Sequence, residues 1–270
     1  MFWIKRAFLV ARLAVVLAVY SPVVAQEIPV GGEPEQVAVA DFEGAGAKLA
    51  GCAAGSVNDR SVAASLGLDA DRVLYLTFDD GPLGRYTSKI LDVLAKHEIK
   101  ATFFVVGTMI EGQEAVVRRE IAEGHTVGNH QWEHQYAASR DQQREFLRKT
   151  KEQIQSMSCD MPLYFRYPYG HKGPWQDAVV KSEGYGDGGI GWDIDSLDYD
   201  FGPGKGKAER PGMFRDDFES WVVQQAEEVG GGLVLMHDIQ QITADHLDSI
   251  LTKLKARGFR FGQLPRTVRR

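Results

Sequence analysis

Cysteine is nearly missing from this chain: 270 residues contain two, Cys52 and Cys159. That excludes a disulfide-built scaffold and a thiolate metal site, which needs several cysteines at close spacing. The pair can form one bridge in an oxidising compartment or remain two buried thiols. Positive charge is not in excess either. The net charge of −6 gives no basic face for duplex nucleic acid or anionic lipid, so nucleic acid is not an expected partner. No apolar run reaches the roughly 20 residues of a comfortable membrane span. No repeat of solenoid length is present.

What is there begins with a secretory pattern. Lys5, Arg6 and Arg12 precede the apolar run Leu13–Tyr20, and Ser21-Pro22-Val23-Val24-Ala25-Gln26 follows. A basic start, a short apolar core and small residues predict a signal peptide over residues 1–25, cut after Ala25. An uncleaved anchor is the alternative. With cleavage the protein is expected to be secreted, or to reside in the periplasm or cell envelope, with no stable membrane span. Residues 26–70, rich in Gly, Ala, Glu and Pro at their start, read as a lead-in segment. The domain proper is expected over residues 71–265.

From there strand and helix signals alternate. Val73–Phe78 is a compact apolar run ending in Asp79-Asp80-Gly81-Pro82, a buried strand stopping at a turn. Further strands are predicted at residues 101–106, 126–128, 163–167, 189–194, 233–236 and 259–261. Helices are predicted from Ile90, Leu91, Val93, Leu94 and Ile99 at helical spacing, and over residues 114–123, 139–157, 176–182, 214–228 and 243–257. Repeated strand–helix units imply parallel strands with helices outside, an α/β fold. Gly202–Lys207 reads as a flexible loop.

The polar residues fall where those strands end. Asp79 and Asp80 end the first; His130 and His134 follow the third; Arg166, then Asp195 and Asp198, then His237-Asp238 end later ones. In a parallel barrel these ends share the face where active sites sit. Adjacent carboxylates repel, and a divalent cation removes that cost; the same Asp-Asp-Gly-Pro also suits a plain turn. His130-Gln131-Trp132-Glu133-His134 spaces two imidazoles so that one helical turn would let them chelate one metal. Two His and a carboxylate with open positions suit zinc, and also cobalt, nickel or iron. Taken singly, the pair also reads as surface histidines, Arg166 as a structural ion pair and His237-Asp238 as a strand-end cap. His97, His125, His171 and His246 have no comparable partner and read as surface or structural residues.

Thr77–Pro82, His130–His134, Arg166–Gly170, Asp195–Tyr199 and Leu233–Asp238, in that order, resemble the motifs of the polysaccharide deacetylases, the NodB-homology or family-four carbohydrate esterases. The resemblance spans about Val73 to Phe261. It implies a single distorted (β/α) barrel and one divalent metal ion held by Asp80, His130 and His134. It makes Asp79 the general base, oriented by Arg166, and His237 the general acid, held by Asp198. Tyr169 would offer its backbone N–H to an oxyanion, and Leu235 and Tyr199 would line an acetyl pocket. The implied activity is hydrolysis of acetamido groups on N-acetylhexosamine glycans of peptidoglycan or chitin type. Acetylated xylan, a non-sugar amide, or glycan binding without catalysis are the rival readings. The chain departs from the family pattern at Gln131, Gln135 and Tyr199, where Ser or Thr, Pro and Trp are usual; the departures bear on substrate preference. The sequence leaves Asp195 as an alternative partner of His237.

Overall fold

A computed structural model describes residues 72–158, 162–186, 188–201 and 217–264. The expected leader, the lead-in, both cysteines and the Gly202–Lys207 loop lie outside the described residues. Among those described, no helix is long and apolar enough to cross a membrane.

The centre is a parallel sheet. In chain order its strands are β1 (Val73–Asp79), β2 (Thr102–Val105), β3 (Thr126–Asn129), β4 (Ile194–Asp195), β5 (Gly232–His237) and β6 (Arg260–Gly262). They are arranged β3-β2-β1-β5-β4, with β6 paired to the first residues of β1. Every pairing is parallel. A strand covered on both faces needs a continuous apolar run, and β1 supplies one: Leu74, Leu76 and Phe78 are all but fully buried. Each such side chain contributes about 1.5–3 kcal/mol by leaving water.

Helices join the strands. They are α1 (Gly84–Lys96), α2 (Gly107–Ile110), α3 (Glu114–Ala122), α4 (Arg140–Ser158), α5 (Gln176–Ser182), α6 (Phe218–Val229) and α7 (Gln241–Ala256). Their inward stripes follow the 3.6 period: Ile90, Leu91 and Leu94 on α1, and Leu247, Ile250, Leu251 and Leu254 on α7, are buried in the main core. The caps are written in the sequence as well. Ser139 Oγ accepts the Gln142 N–H while the Gln142 side chain accepts the Ala138 N–H, opening α4. Asp217 accepts the Ser220 N–H at the start of α6, and Gly230, at φ 88°, ends it.

Two expected strands are nearly absent. Residues 163–167 contribute only Phe165, which bridges Asn129 on one side and Gly189 on the other. Residues 189–194 supply that bridge at one end and, at the other, Ile194 and Asp195 paired to β5. Gly189 thus reaches β3 only by way of Phe165, while Ile194 and Asp195 form a two-residue ladder with β5. The result is a parallel α/β fold of the distorted (β/α) barrel kind. The physical cause lies in the sequence around it: Pro162, Pro168 and Gly188, Gly189 and Gly191 interrupt any long hydrogen-bonded run.

Candidate metal centre and catalytic site

All the strands run the same way, so their carboxyl ends meet on one face. The β1–β5 register sets Asp79 directly beside His237, and the β1–β2 register sets it beside Phe104. His130 follows the last residue of β3. These ladders bring together residues that lie more than half the chain apart.

At Asp80 the backbone leaves the strand with φ 77°, a left-handed conformation that Asp tolerates better than most residues. Both carboxylates face His130 Nε2, Asp80 at 3.2 Å and Asp79 at 3.8 Å. Gly81 is required next: a Cβ there would lie 2.0 Å from Asp238 Oδ2. The turn is thus pressed against a buried carboxyl group.

Asp80 Oδ1 lies 3.2 Å from His130 Nε2 and 3.1 Å from His134 Nε2. The donor atoms of these three residues all lie within 4.8 Å of one another. His130 Nδ1 faces the Arg166 carbonyl at 2.9 Å, which fixes that nitrogen as the N–H and leaves Nε2 as a lone-pair donor. Burial and its neighbouring imidazoles lower the His134 pKa despite the carboxylate of Asp80, favouring a neutral ligand. Burial alone would raise the Asp80 pKa, but the facing imidazoles of His130, His237 and His134 hold it well below the ordinary range. Asp80 Oδ1 is buried without a hydrogen-bond partner among the described residues. A buried anionic oxygen aimed between two imidazole nitrogens fits a divalent cation.

The pair of histidines does not sit on a helical turn, as the spacing suggested. Residues 130–139 form an irregular loop, with Gln131 at φ 75°. Gln131 is buried and holds that loop together. Its N–H bonds Asn129 Oδ1, its amide nitrogen donates to the Gln135 carbonyl at 2.7 Å, and its amide oxygen accepts from Gln143 on α4 at 2.8 Å. The departure at Gln131 is therefore explained inside the loop. Gln135 is exposed, and its own side chain donates to Glu133 Oε2.

Arg166 is fully buried beneath this cluster. Its Nη1 donates to Asp79 Oδ1 at 2.8 Å and to Thr77 Oγ1 at 2.7 Å; Nη2 donates to the Gly191 carbonyl at 2.9 Å. Its guanidinium also lies 4.3 Å from the centre of the Phe104 ring. A buried cation needs such partners, and Asp79 is the one that carries charge. Asp79 Oδ2 stands 3.8 Å from His130 Nε2, beside the ligand set.

On the other side, His237 Nδ1 meets Asp198 Oδ1 at 2.7 Å. Asp198 is fully buried and its second oxygen accepts from the His237 N–H and from Thr243 Oγ1. Burial alone would lower the His237 pKa, but the Asp198 carboxylate overrides it, with Asp80 and Asp79 adding to the effect, and pushes it up to about 10. Its Nε2 faces the cluster, 4.0 Å from Asp80 Oδ2. Asp195 lies near but turns its Oδ1 to the Leu197 N–H at 2.9 Å. Geometry therefore pairs His237 with Asp198.

Tyr169 takes a left-handed conformation, φ 57° and ψ 14°, in the turn Pro168–Gly170. Its ring lies 4.3 Å from that of His134. Leu235 is buried on β5, paired with Asp195. Tyr199 is exposed, its ring edge-on to His237 at 5.7 Å. Asp79, Asp80, His130, His134, Arg166, Asp198 and His237, with the rings of Tyr169 and Tyr199, thus gather on this one face. Sequence reasoning missed Thr77 and Thr243, the hydroxyls that hold Arg166 and Asp198. Thr77 could have been found inside the first motif; Thr243 carried no signal, since a helix 45 residues downstream supplies it. Outside the face, His97 and His246 make surface pairs with Asp248 and Glu219, and His125 is a buried acceptor for the Ala101 N–H, as their isolation suggested.

Residues 67–185 match the family model described as polysaccharide deacetylase. The peptidoglycan-N-acetylglucosamine deacetylase PgdA of Listeria monocytogenes is 34% identical over 245 residues, 87% of this chain and 46% of that protein, so the chain spans about half the length of that relative. A chitooligosaccharide deacetylase of Rhizobium leguminosarum bv. trifolii is 34% identical over 213 residues, covering 72% of this chain and 91% of the relative. Among solved structures, the Bc1960 peptidoglycan N-acetylglucosamine deacetylase is 29% identical with a TM-score of 0.60, over 73% of this chain and 88% of that one.

Proposed function

The chain belongs to the polysaccharide deacetylase family, and on that premise we propose that it is a metal-dependent N-deacetylase. It hydrolyses acetamido groups of N-acetylhexosamine units in peptidoglycan or chitin-type glycans, to free amine and acetate. The observation that carries this reading is the convergence of Asp80, His130 and His134 between a carboxylate held by arginine and an imidazole held by carboxylate.

Asp80, His130 and His134 would hold the cation, zinc first, with cobalt, nickel or iron also suited to two imidazoles and a carboxylate. When bound, the ion supplies Lewis acidity, lowering the pKa of water and polarising the amide carbonyl. Asp79 is the general base, its carboxylate held 2.8 Å from Arg166 Nη1 beside the ligand set, where it would take a proton from the attacking water. Arg166 also fixes the direction of that carboxylate, because the guanidinium is itself held by Thr77 and the Gly191 carbonyl. Tyr169, in a left-handed turn, would offer its backbone N–H to the oxyanion that develops on the acetyl oxygen. His237 is the general acid. Asp198 keeps its imidazole protonated, so that Nε2–H can be given to the departing nitrogen. Leu235 and Tyr199 line the space for the acetyl methyl. The signal pattern and the named cell-wall relatives support action outside the cytoplasm.

The test is release of acetate. Metal-loaded protein is incubated with chitooligosaccharides, with purified peptidoglycan and with acetylated xylan. Acetate from either N-acetylated glycan supports the proposal. Acetate from xylan alone would move the activity to ester hydrolysis. Acetate from none, with glycan still bound, would make the chain a binding protein.

A further inference from the structure

Asp80 and the two histidines come from separate segments, the turn after β1 and the loop after β3. Between those strands lies β2, paired to both. Where β2 ends, the chain goes on serving the two segments in turn. The Val105 carbonyl accepts the His130 N–H at 2.9 Å. The Val106 N–H then donates to the Gly81 carbonyl, the Gly107 N–H to the Gln131 carbonyl and the Thr108 N–H to the Trp132 carbonyl, each at 2.9 Å. Three consecutive donors thus tie the residue after Asp80 to the stretch between His130 and His134.

The middle donor leaves no room for a side chain. Gly107 is buried at the start of α2, and its φ is not positive, so glycine is needed there for space and not for conformation. A Cβ would lie 2.3 Å from Trp132 Cε3 and 2.6 Å from Thr150 Oγ1. The Thr150 hydroxyl can turn aside, because threonine has two χ1 rotamers open to it on a helix. The indole is larger and is met by α4 as well, where Lys149 Nζ lies 5.5 Å from its centre. Trp132 stands midway between His130 and His134 in sequence. A push on its ring is therefore passed to the backbone that spaces the two imidazoles.

We propose that Gly107 is a positioning residue for the metal centre: it seats Trp132 against the first residues of α2 and so sets His130 and His134 relative to Asp80. The proposal rests on the metal-dependent reading and adds a residue outside the ligand set and the acid–base pairs. Metal–ligand distances hold within about 0.2 Å, so a small displacement of the loop is enough to weaken binding. The Cβ contact of 2.3 Å falls far short of the 3.4 Å at which ordinary contact begins.

The affinity of Zn²⁺ is measured by chelator competition for the parent, Gly107→Ala, Trp132→Ala and the double variant, at a temperature where thermal unfolding in chelator shows each to be folded. Gly107→Ala should weaken Zn²⁺ binding by about ten- to a hundredfold, the usual cost of disturbing a residue that supports metal ligands. Trp132→Ala, which removes the seat's occupant, should weaken it by roughly three- to tenfold. The two effects should not multiply: in the Trp132→Ala background the added methyl should cost less than about threefold, because the ring it displaces is gone. A Gly107→Ala protein that melts lower in chelator yet binds Zn²⁺ as the parent does would make Gly107 a packing residue and overturn the proposal. An equal cost of Gly107→Ala in both backgrounds would also overturn it. If Gly107→Ala does not fold, Trp132→Ala decides alone, and parent-like Zn²⁺ affinity there removes the seat. A parent that binds no Zn²⁺ would instead bring down the metal-dependent reading, and the positioning role with it.

Discussion

Asp79 and Asp80 are neighbours of one residue type with opposite surroundings. Asp79 ends a buried strand and meets a guanidinium; Asp80, turned by a positive φ, meets imidazoles. On the proposed mechanism, that division would let one act as base while the other binds metal. Asp79→Asn should therefore retain the metal and lose about a hundredfold or more in turnover, measured by acetate release at matched metal content. His237 is the complementary group. Its pKa is pushed up to about 10 with Asp198 at 2.7 Å. An acid must be protonated to work, so activity is lost as pH rises through its value. Asp198→Asn removes the carboxylate but leaves the burial, which lowers the pKa. The basic limb of the pH–rate profile should then move down by roughly one to three units, the effect of a close opposite charge. An unmoved limb would exclude His237 as the acid; a limb moved only by Asp195→Asn would exchange the roles of the two aspartates. The residue types of this site were legible in the sequence because each stands beside a strand end or in a motif. The choice between Asp195 and Asp198 was not, since both follow the same strand and only the turn between them decides which faces His237.

At the scale of elements, the loop after β3 shows where spacing misleads. Histidines four apart fit a helical turn, yet residues 130–139 are irregular and reach the same convergence by another route. Gln131 is the reason. Its side chain spans to the Gln135 carbonyl and to Gln143 on α4, replacing the hydrogen bonds a helix would have made. A glutamine that ties a ligand-bearing loop acts on the metal through its neighbours. Gln131→Ala should weaken metal affinity by about tenfold or more, measured by chelator competition, with the fold and the Asp79–Arg166 pair intact. Unchanged affinity would make the loop rigid by other means. Strands and helices with strong periodicity were legible: β1, β5 and α7 lie within a few residues of their expected bounds, and Ile90, Leu91 and Leu94 form the buried stripe of α1, while Ile99 falls beyond its end. The strand expected at residues 163–167 was not, because an apolar run fixes burial without fixing pairing. Phe165 is buried as the pattern required but meets its neighbours through single bridges.

Among the described residues, one inward-facing position of α3 is charged. Glu120 stands on the inward face of α3 three residues after buried Val117, where an aliphatic side chain would be expected. It is fully buried, and neither carboxyl oxygen has a hydrogen-bond partner among the described residues. Burial first, and the nearby Asp238 carboxyl second, raise its pKa well above the ordinary 4.5. Asp238, buried against Gly81, is itself pushed up to about 7. The consequence for stability has a definite sign. Between 4.5 and its raised value the folded protein keeps the Glu120 proton while the unfolded chain has released it. Stability therefore falls as pH rises through that window, by up to about 1.4 kcal/mol per pH unit for one proton. Below the window the group contributes no pH dependence, because both states are protonated. Glu120→Met keeps a comparable volume, removes the titrating group and relieves Asp238 of a like charge. The variant should melt at a higher temperature than the parent at pH 8, and the difference should shrink toward pH 4.5. Both proteins are compared by thermal unfolding in chelator, so that metal binding does not contribute. A difference independent of pH would show that Glu120 is solvated or paired in solution, and that only packing had changed.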